Sequence, residues 1–177
     1  RTNPTLPLTD AGNIVQGNAC RLDWEEVCPN VCNDEVFILG NPPYLGSHVQ
    51  NESQKLDISL INPAFARIDY ISLWFFKSAK YINKFKTSKS AFVTTNSICQ
   101  GEQVGILWPS IKEYNCEIFF AVPSFKWSNN AKSNANVIVS IIGLSNKSIK
   151  TKKSIYSNGL KKNVNKISFY LTANSDS

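Results

Sequence analysis

Val36-Phe37-Ile38-Leu39-Gly40-Asn41-Pro42-Pro43-Tyr44 decides how the rest of this chain is read. The apolar residues 36–39 predict a short buried strand. Gly40, Asn41 and two prolines then stop it abruptly. Neither proline nitrogen can donate a hydrogen bond, both φ angles are fixed, and Pro43 holds Pro42 in an extended shape. The product is a rigid turn at a strand end, rich in acceptors and poor in competing donors. The Asn41 side-chain oxygen and the Pro42 carbonyl can converge on one planar NH2 group, and Tyr44 offers a flat face to a ring. An exocyclic amine on an aromatic base fits that description. Its lone pair is delocalised into the ring. Two acceptors aimed at its hydrogens favour the pyramidal, reactive nitrogen as positive charge develops.

Downstream, residues 45–51 read as loop and 52–60 as a short helix that Asn62-Pro63 ends. His48 stands alone in this excursion and is assigned no chemistry. An amphipathic helix begins at Asp69, with Ile71, Trp74, Phe75, Ser78, Ala79 and Ile82 on one face. Residues 91–95 form the next buried strand, running into the polar turn Asn96-Ser97-Ile98-Cys99-Gln100-Gly101. A helix over 102–114 follows, interrupted or kinked by Pro109. Residues 117–122 and 137–143 are further strands, and the loop between them is too short for a parallel crossover, which makes them antiparallel. Alternating strands and helices predict a mainly parallel sheet with crossovers, in three layers. Ligands in such sheets sit at the carboxyl ends of the strands, where Asn41 and Asn96 both fall. Upstream, residues 13–19 read as a short strand ending in a turn, and 23–27 as a capped helical turn.

Nineteen basic residues against 13 acidic leave a net charge of +6, a surplus suited to a polyanionic partner. No apolar run reaches membrane-spanning length, so no membrane partner is expected. The five cysteines include no Cys-x2-Cys pair, which argues against zinc and for reduced, mostly buried thiols in a cytoplasmic protein. No metal is implied. From Asn146 the composition changes: Lys147, Lys150, Lys152, Lys153, Lys161, Lys162 and Lys166 appear with no acidic residue before Asp176. Such a stretch serves phosphate contact or is a solvated surface. Residues 167–171 read as one more strand. The expected division is therefore a catalytic part over 1–145 and a basic segment over 146–177. The chain lacks an initiating Met and reads as a piece of something longer.

Asn-Pro-Pro-Tyr after a strand resembles the catalytic motif of S-adenosylmethionine-dependent amino-methyltransferases, which act on DNA adenine, on ribosomal RNA or on protein glutamine. The set is more specific. Gly17-Asn18-Ala19, residues 40–46, residues 95–103 and residues 125–132 occur in that order and together resemble the MmeI-like family of DNA adenine-N6 methyltransferases, type IIG restriction–modification proteins. The similarity covers most of residues 8–171. It implies part of a class I, Rossmann-like α/β fold: an incomplete, mostly parallel sheet with one antiparallel strand. It implies catalytic roles for Asn41, Pro42, Pro43 and Tyr44, and cofactor contacts from Asn18, Ala19 and Asn41. Asn18 stands where relatives often carry Asp, and an ordinary turn residue would read the same way. Tyr44 would sandwich the target base with Phe125 or Trp127, unless those aromatics merely anchor their loop. The implied cofactor is S-adenosylmethionine and the implied partner double-stranded DNA, with the adenine flipped from its stack.

The departure from the pattern is the absence of the glycine-rich loop that holds the cofactor's methionine end. The resemblance puts it upstream of Arg1, on a strand between those ending at Asn18 and Asn41. The strand at residues 37–39 is then an unpaired edge, open to association, and the chain by itself is expected to be inactive. RNA or protein-glutamine methylation, or DNA binding without catalysis, are the competing expectations.

Overall fold

The computed structural model describes residues 14–127 and 137–173. Asp23 caps the short α1 (Trp24–Val27) by accepting from the Glu25 amide at 2.8 Å. Strand β1 (Phe37–Gly40) follows where the apolar run predicts a strand, but it is not buried: Phe37, Leu39 and Gly40 are exposed and Ile38 is half-buried, because the strand lies at the sheet's edge. Asn51 and Gln54 close a capping box on α2 (Glu52–Ile61), and Asn62 and Pro63 end it. Helix α3 (Ser72–Lys84) buries Leu73, Phe75, Ala79 and Ile82 and leads to β2 (Lys89–Thr95). Helix α4 (Gly101–Glu113) carries Pro109 on its exposed side, where the lost hydrogen bond can be made to water. The long β3 (Cys116–Trp127) and β4 (Val137–Asn146) come next, then β5 (Lys153–Ser157) and β6 (Leu160–Val164).

The six strands form one sheet in the order β1-β2-β4-β3-β5-β6. Strands β1, β2, β3 and β5 share a direction, and β4 opposes them as expected. Strand β6 opposes them too. Among the described residues β1 has a single neighbour, β2, so the strand carrying the motif is an edge.

The β1–α3–β2 and β2–α4–β3 crossovers advance the same way across the sheet. Crossovers of one hand then put both helices on one face. Phe75 of α3 meets Phe92 of β2 at 5.2 Å and Trp108 of α4 at 6.0 Å, which places the core on that side. The opposite face is open at β1, where Phe37 and Leu39 are 58% and 73% exposed. Among the described residues the expected third layer is therefore not found, and the arrangement is two-layered.

Two other sequence expectations are corrected. Within residues 14–19 there is no strand: Ile14 is 91% exposed and pairs with nothing in the sheet, so its apolar neighbours have no ladder to join. Residues 167–171 are not a strand either, and Ile167 forms only an isolated bridge to Ala173. The sheet continues past residue 145. Asn158 and Gly159, at φ 52° and 76°, close a β5–β6 hairpin, and β5 pairs in parallel with β3. Residues 128–136, where part of the aromatic-containing loop falls, and residue 13 lie outside the described residues.

Strand β3 is bulged twice against β4, between Ile118 and Phe120 and between Val122 and Phe125. Pro123, which has no amide hydrogen for a ladder, sits in the second bulge. At the first, Phe119 folds over Gly143: a Cβ there would lie 2.9 Å from Phe119 Cε1 and 3.1 Å from Phe120 Cβ.

Candidate active site

The prolines place Asn41 and Tyr44 at the carboxyl end of β1. Pro42 is buried, Asn41 and Pro43 are exposed, and Tyr44 is half-buried against the core. The Tyr44 hydroxyl donates to Asn41 Oδ1. Burial raises the Tyr44 pKa, so the phenol stays a neutral donor. The amide oxygen has a second lone pair for another donor. The segment after the motif is tied down: Leu45 O accepts from the Tyr70 amide at 2.8 Å and from Gln50 Nε2 at 3.0 Å, and Gln50 also reaches Ile68 O at 3.1 Å.

Residue 69 joins this segment to the end of β2. Asp69 is buried, and its carboxylate accepts from Gln103 Nε2 at 3.1 Å, Thr95 Oγ1 at 3.2 Å and the Ser97 hydroxyl. One residue along, Asn96 bridges three strands. It donates to Ser124 Oγ at 2.6 Å, and its Oδ1 accepts from Ser140 Oγ at 2.6 Å. Phe125 follows Ser124 directly and is half-buried, so that aromatic is held near the end of β2. Trp127 closes β3, and its side chain lies outside the described residues.

The other wall comes from residues 18–24. Asn18 Oδ1 accepts from the Cys20 amide at 2.9 Å, and its Nδ2 donates to Asp57 at 3.0 Å. Both ends of the Asn18 side chain are thus engaged within the protein. Ala19 O accepts from Trp24 Nε1 at 2.8 Å, and Lys77 Nζ donates to Cys20 O at 3.0 Å and Leu22 O at 2.5 Å. Burial lowers the Lys77 pKa, and its ammonium lies 5.6 Å from the Trp24 ring centre. Asp57, only 2% exposed, also accepts from Arg21 Nε and from the Tyr70 hydroxyl, each at 2.6 Å. Burial by itself would raise its pKa. The hydrogen bonds from Tyr70, Arg21 and Asn18 outweigh that and hold the carboxyl below its usual range.

These walls face one cleft of about 300 Å³, with Ala19 and Trp24 on one side, Gly40, Asn41 and Pro42 on the other, and Trp74 and Phe92 in the lining. Sequence reasoning named Asn41, Pro42 and Ala19 here but missed Trp24 and Trp74, which it left as cap-adjacent and core residues. It also missed the buried acids Asp57 and Asp69, which carry no motif. A second cleft of about 330 Å³, around Arg21, Lys80 and Tyr81, shares only Trp24 with the first. It contains none of the expected site residues.

The family model described as MmeI, DNA-methyltransferase domain, matches residues 1–157. DNA methyltransferase A of Bacillus subtilis (strain 168) is 48% identical over 175 residues, which is 96% of this chain and 20% of that protein. A solved structure of the Type IIL restriction-modification enzyme MmeI in complex with DNA matches with a TM-score of 0.86 at 35% identity, over 97% of this chain and 24% of that one. The chain thus spans a fifth to a quarter of the length of these relatives.

Proposed function

This chain belongs to the MmeI DNA-methyltransferase domain family, and from that premise we propose that it carries the target-base half of an S-adenosylmethionine-dependent DNA adenine-N6 methyltransferase. The observation that carries the proposal is the shared cleft: the Ala19 wall and the Asn41–Pro42 turn, far apart in sequence, line one cavity at the end of β1. The cavity's chemistry suits the cofactor. Aromatic and aliphatic side chains line it, a setting suited to the adenine end of the cofactor. Asn18 and Ala19 hold that end in this proposal, and the Asn41 turn borders the other.

When bound, S-adenosylmethionine supplies a methyl group on a sulfonium centre. The residues of this chain hold the acceptor amine. Asn41 Oδ1, through the lone pair Tyr44 does not use, and the Pro42 carbonyl accept the two N6 hydrogens. They stabilise the nitrogen as it turns pyramidal and positive. An amide oxygen is too weak a base to take the proton, so it orients rather than deprotonates. Tyr44 stacks on the flipped adenine, with Phe125 or Trp127 on the other side, and Pro43 fixes the approach of the tyrosine. The rate comes from placing the amine in line with its methyl donor. Lys161 and Lys162, on the exposed β6, suit contact with DNA phosphates. The segment over 146–177 would then lead towards target recognition, in a cytoplasmic restriction–modification protein. Among the described residues no helix is long and apolar enough to cross a membrane.

The test is methyl transfer by the full-length protein from labelled cofactor to DNA, RNA and protein offered in parallel. Label in DNA supports the proposal, and label only in RNA or in glutamine overturns it.

A further inference from the structure

We propose that Asp57 is a positioning residue for the cofactor end of this cleft, acting as a strut between the Ala19 wall and the segment that follows the catalytic turn. The inference rests on the methyltransferase reading and extends it to a residue outside every motif. Asp57 is buried on α2, yet it receives three hydrogen bonds from two separate parts of the chain. Asn18 and Arg21 reach it from the turn that contains Ala19. Tyr70 reaches it from the other side, and the Tyr70 backbone amide holds Leu45 O, next to Tyr44. The path from Ala19 to the catalytic turn is therefore continuous: Asn18, Asp57, Tyr70, Leu45. Its length sets how far the two walls stand apart. Asp57 also fixes which way the Asn18 amide is turned, because Nδ2 must face the carboxylate while Oδ1 takes the Cys20 amide.

A strut of this kind changes cofactor binding and leaves the chemistry of the bound complex nearly intact. In the full-length enzyme, Asp57→Asn removes the charge but keeps one acceptor for Tyr70. It should weaken S-adenosylmethionine about ten-fold, the scale of one charge-assisted hydrogen bond. It should weaken 5′-methylthioadenosine, which lacks the amino-acid end, by the same factor. Turnover at saturating cofactor and DNA affinity should stay within about three-fold, against that expected ten-fold change. Unchanged affinity for both ligands in folded Asp57→Asn, or a loss confined to turnover, overturns the inference and leaves the functional reading standing. If Asp57→Asn does not fold, Arg21→Gln decides, since the Arg21 side chain is 51% exposed and its loss is easily solvated. It should weaken both ligands about three-fold or more, and no change overturns the strut. Failure of the unmodified enzyme to bind S-adenosylmethionine at all overturns the functional reading, and the inference with it.

Discussion

Tyr44 has two chemical parts with separate tasks. Its ring offers stacking, and its hydroxyl donates to Asn41 Oδ1. Tyr44→Phe keeps the ring and frees the amide, so turnover should fall by less than about ten-fold, against about ten- to hundred-fold weaker capture of the flipped base in Tyr44→Ala. Base capture, followed with a fluorescent adenine analogue in the target site, separates the two. Equal losses in both variants would remove stacking from the account. Asp57 gives a pH signature. Its folded pKa lies below the unfolded value of about 3.9, so its stabilisation is complete above that pH and is lost as pH falls through the folded pKa. Acid melts should show a shallower loss of Tm below about pH 4 in Asp57→Asn than in the unmodified protein. Parallel profiles would mean the carboxylate is not held by its donors. The rigid turn at Asn41–Tyr44 was legible in the sequence because prolines after an apolar run leave few other conformations. Asp57 and Asp69 were not legible, because a single acid in a polar stretch looks solvated until folding surrounds it with donors from distant residues.

The strands carrying the site were legible from their apolar runs, and α3 from its periodicity. The failures have physical causes too. Ile14 and Val15 are apolar, but a strand needs a partner, and none is present among the described residues. The β5–β6 hairpin was signalled by Asn158-Gly159, the dipeptide that best tolerates two positive φ angles, but the lysines around it give its strands the composition of a solvated surface. The bulge at Phe119 could not be read at all, because it depends on register against Gly143 across the sheet. It makes a prediction at this scale. Gly143→Ala drives a methyl group into Phe119 and Phe120 and should cost about 1–3 kcal/mol by overpacking. Denaturant unfolding measures this, and a variant as stable as the parent would show that Phe119 moves aside freely.

Across the whole molecule, the site stands at the border of the sheet. The Asn41–Tyr44 turn ends an edge strand, Phe37 and Leu39 of that strand face outwards, and the cleft draws its second wall from a turn outside the sheet. Most of the length of the relatives lies outside this segment. The 177-residue chain alone is therefore predicted to bind S-adenosylmethionine too weakly for a clear calorimetric titration. Tight stoichiometric binding would show that the cleft is complete as it stands.

The central claim is that Asn41 presents an adenine amine for methylation, and nucleoside mass spectrometry of DNA treated with the full-length protein tests it most directly. The account predicts N6-methyladenine as the new nucleoside, and its yield per turnover time falling about a hundred-fold or more in Asn41→Ala, the scale of losing one preorganised group in a transition state, while DNA is still bound. Methyl groups on cytosine, or undiminished N6-methyladenine from Asn41→Ala, would contradict it.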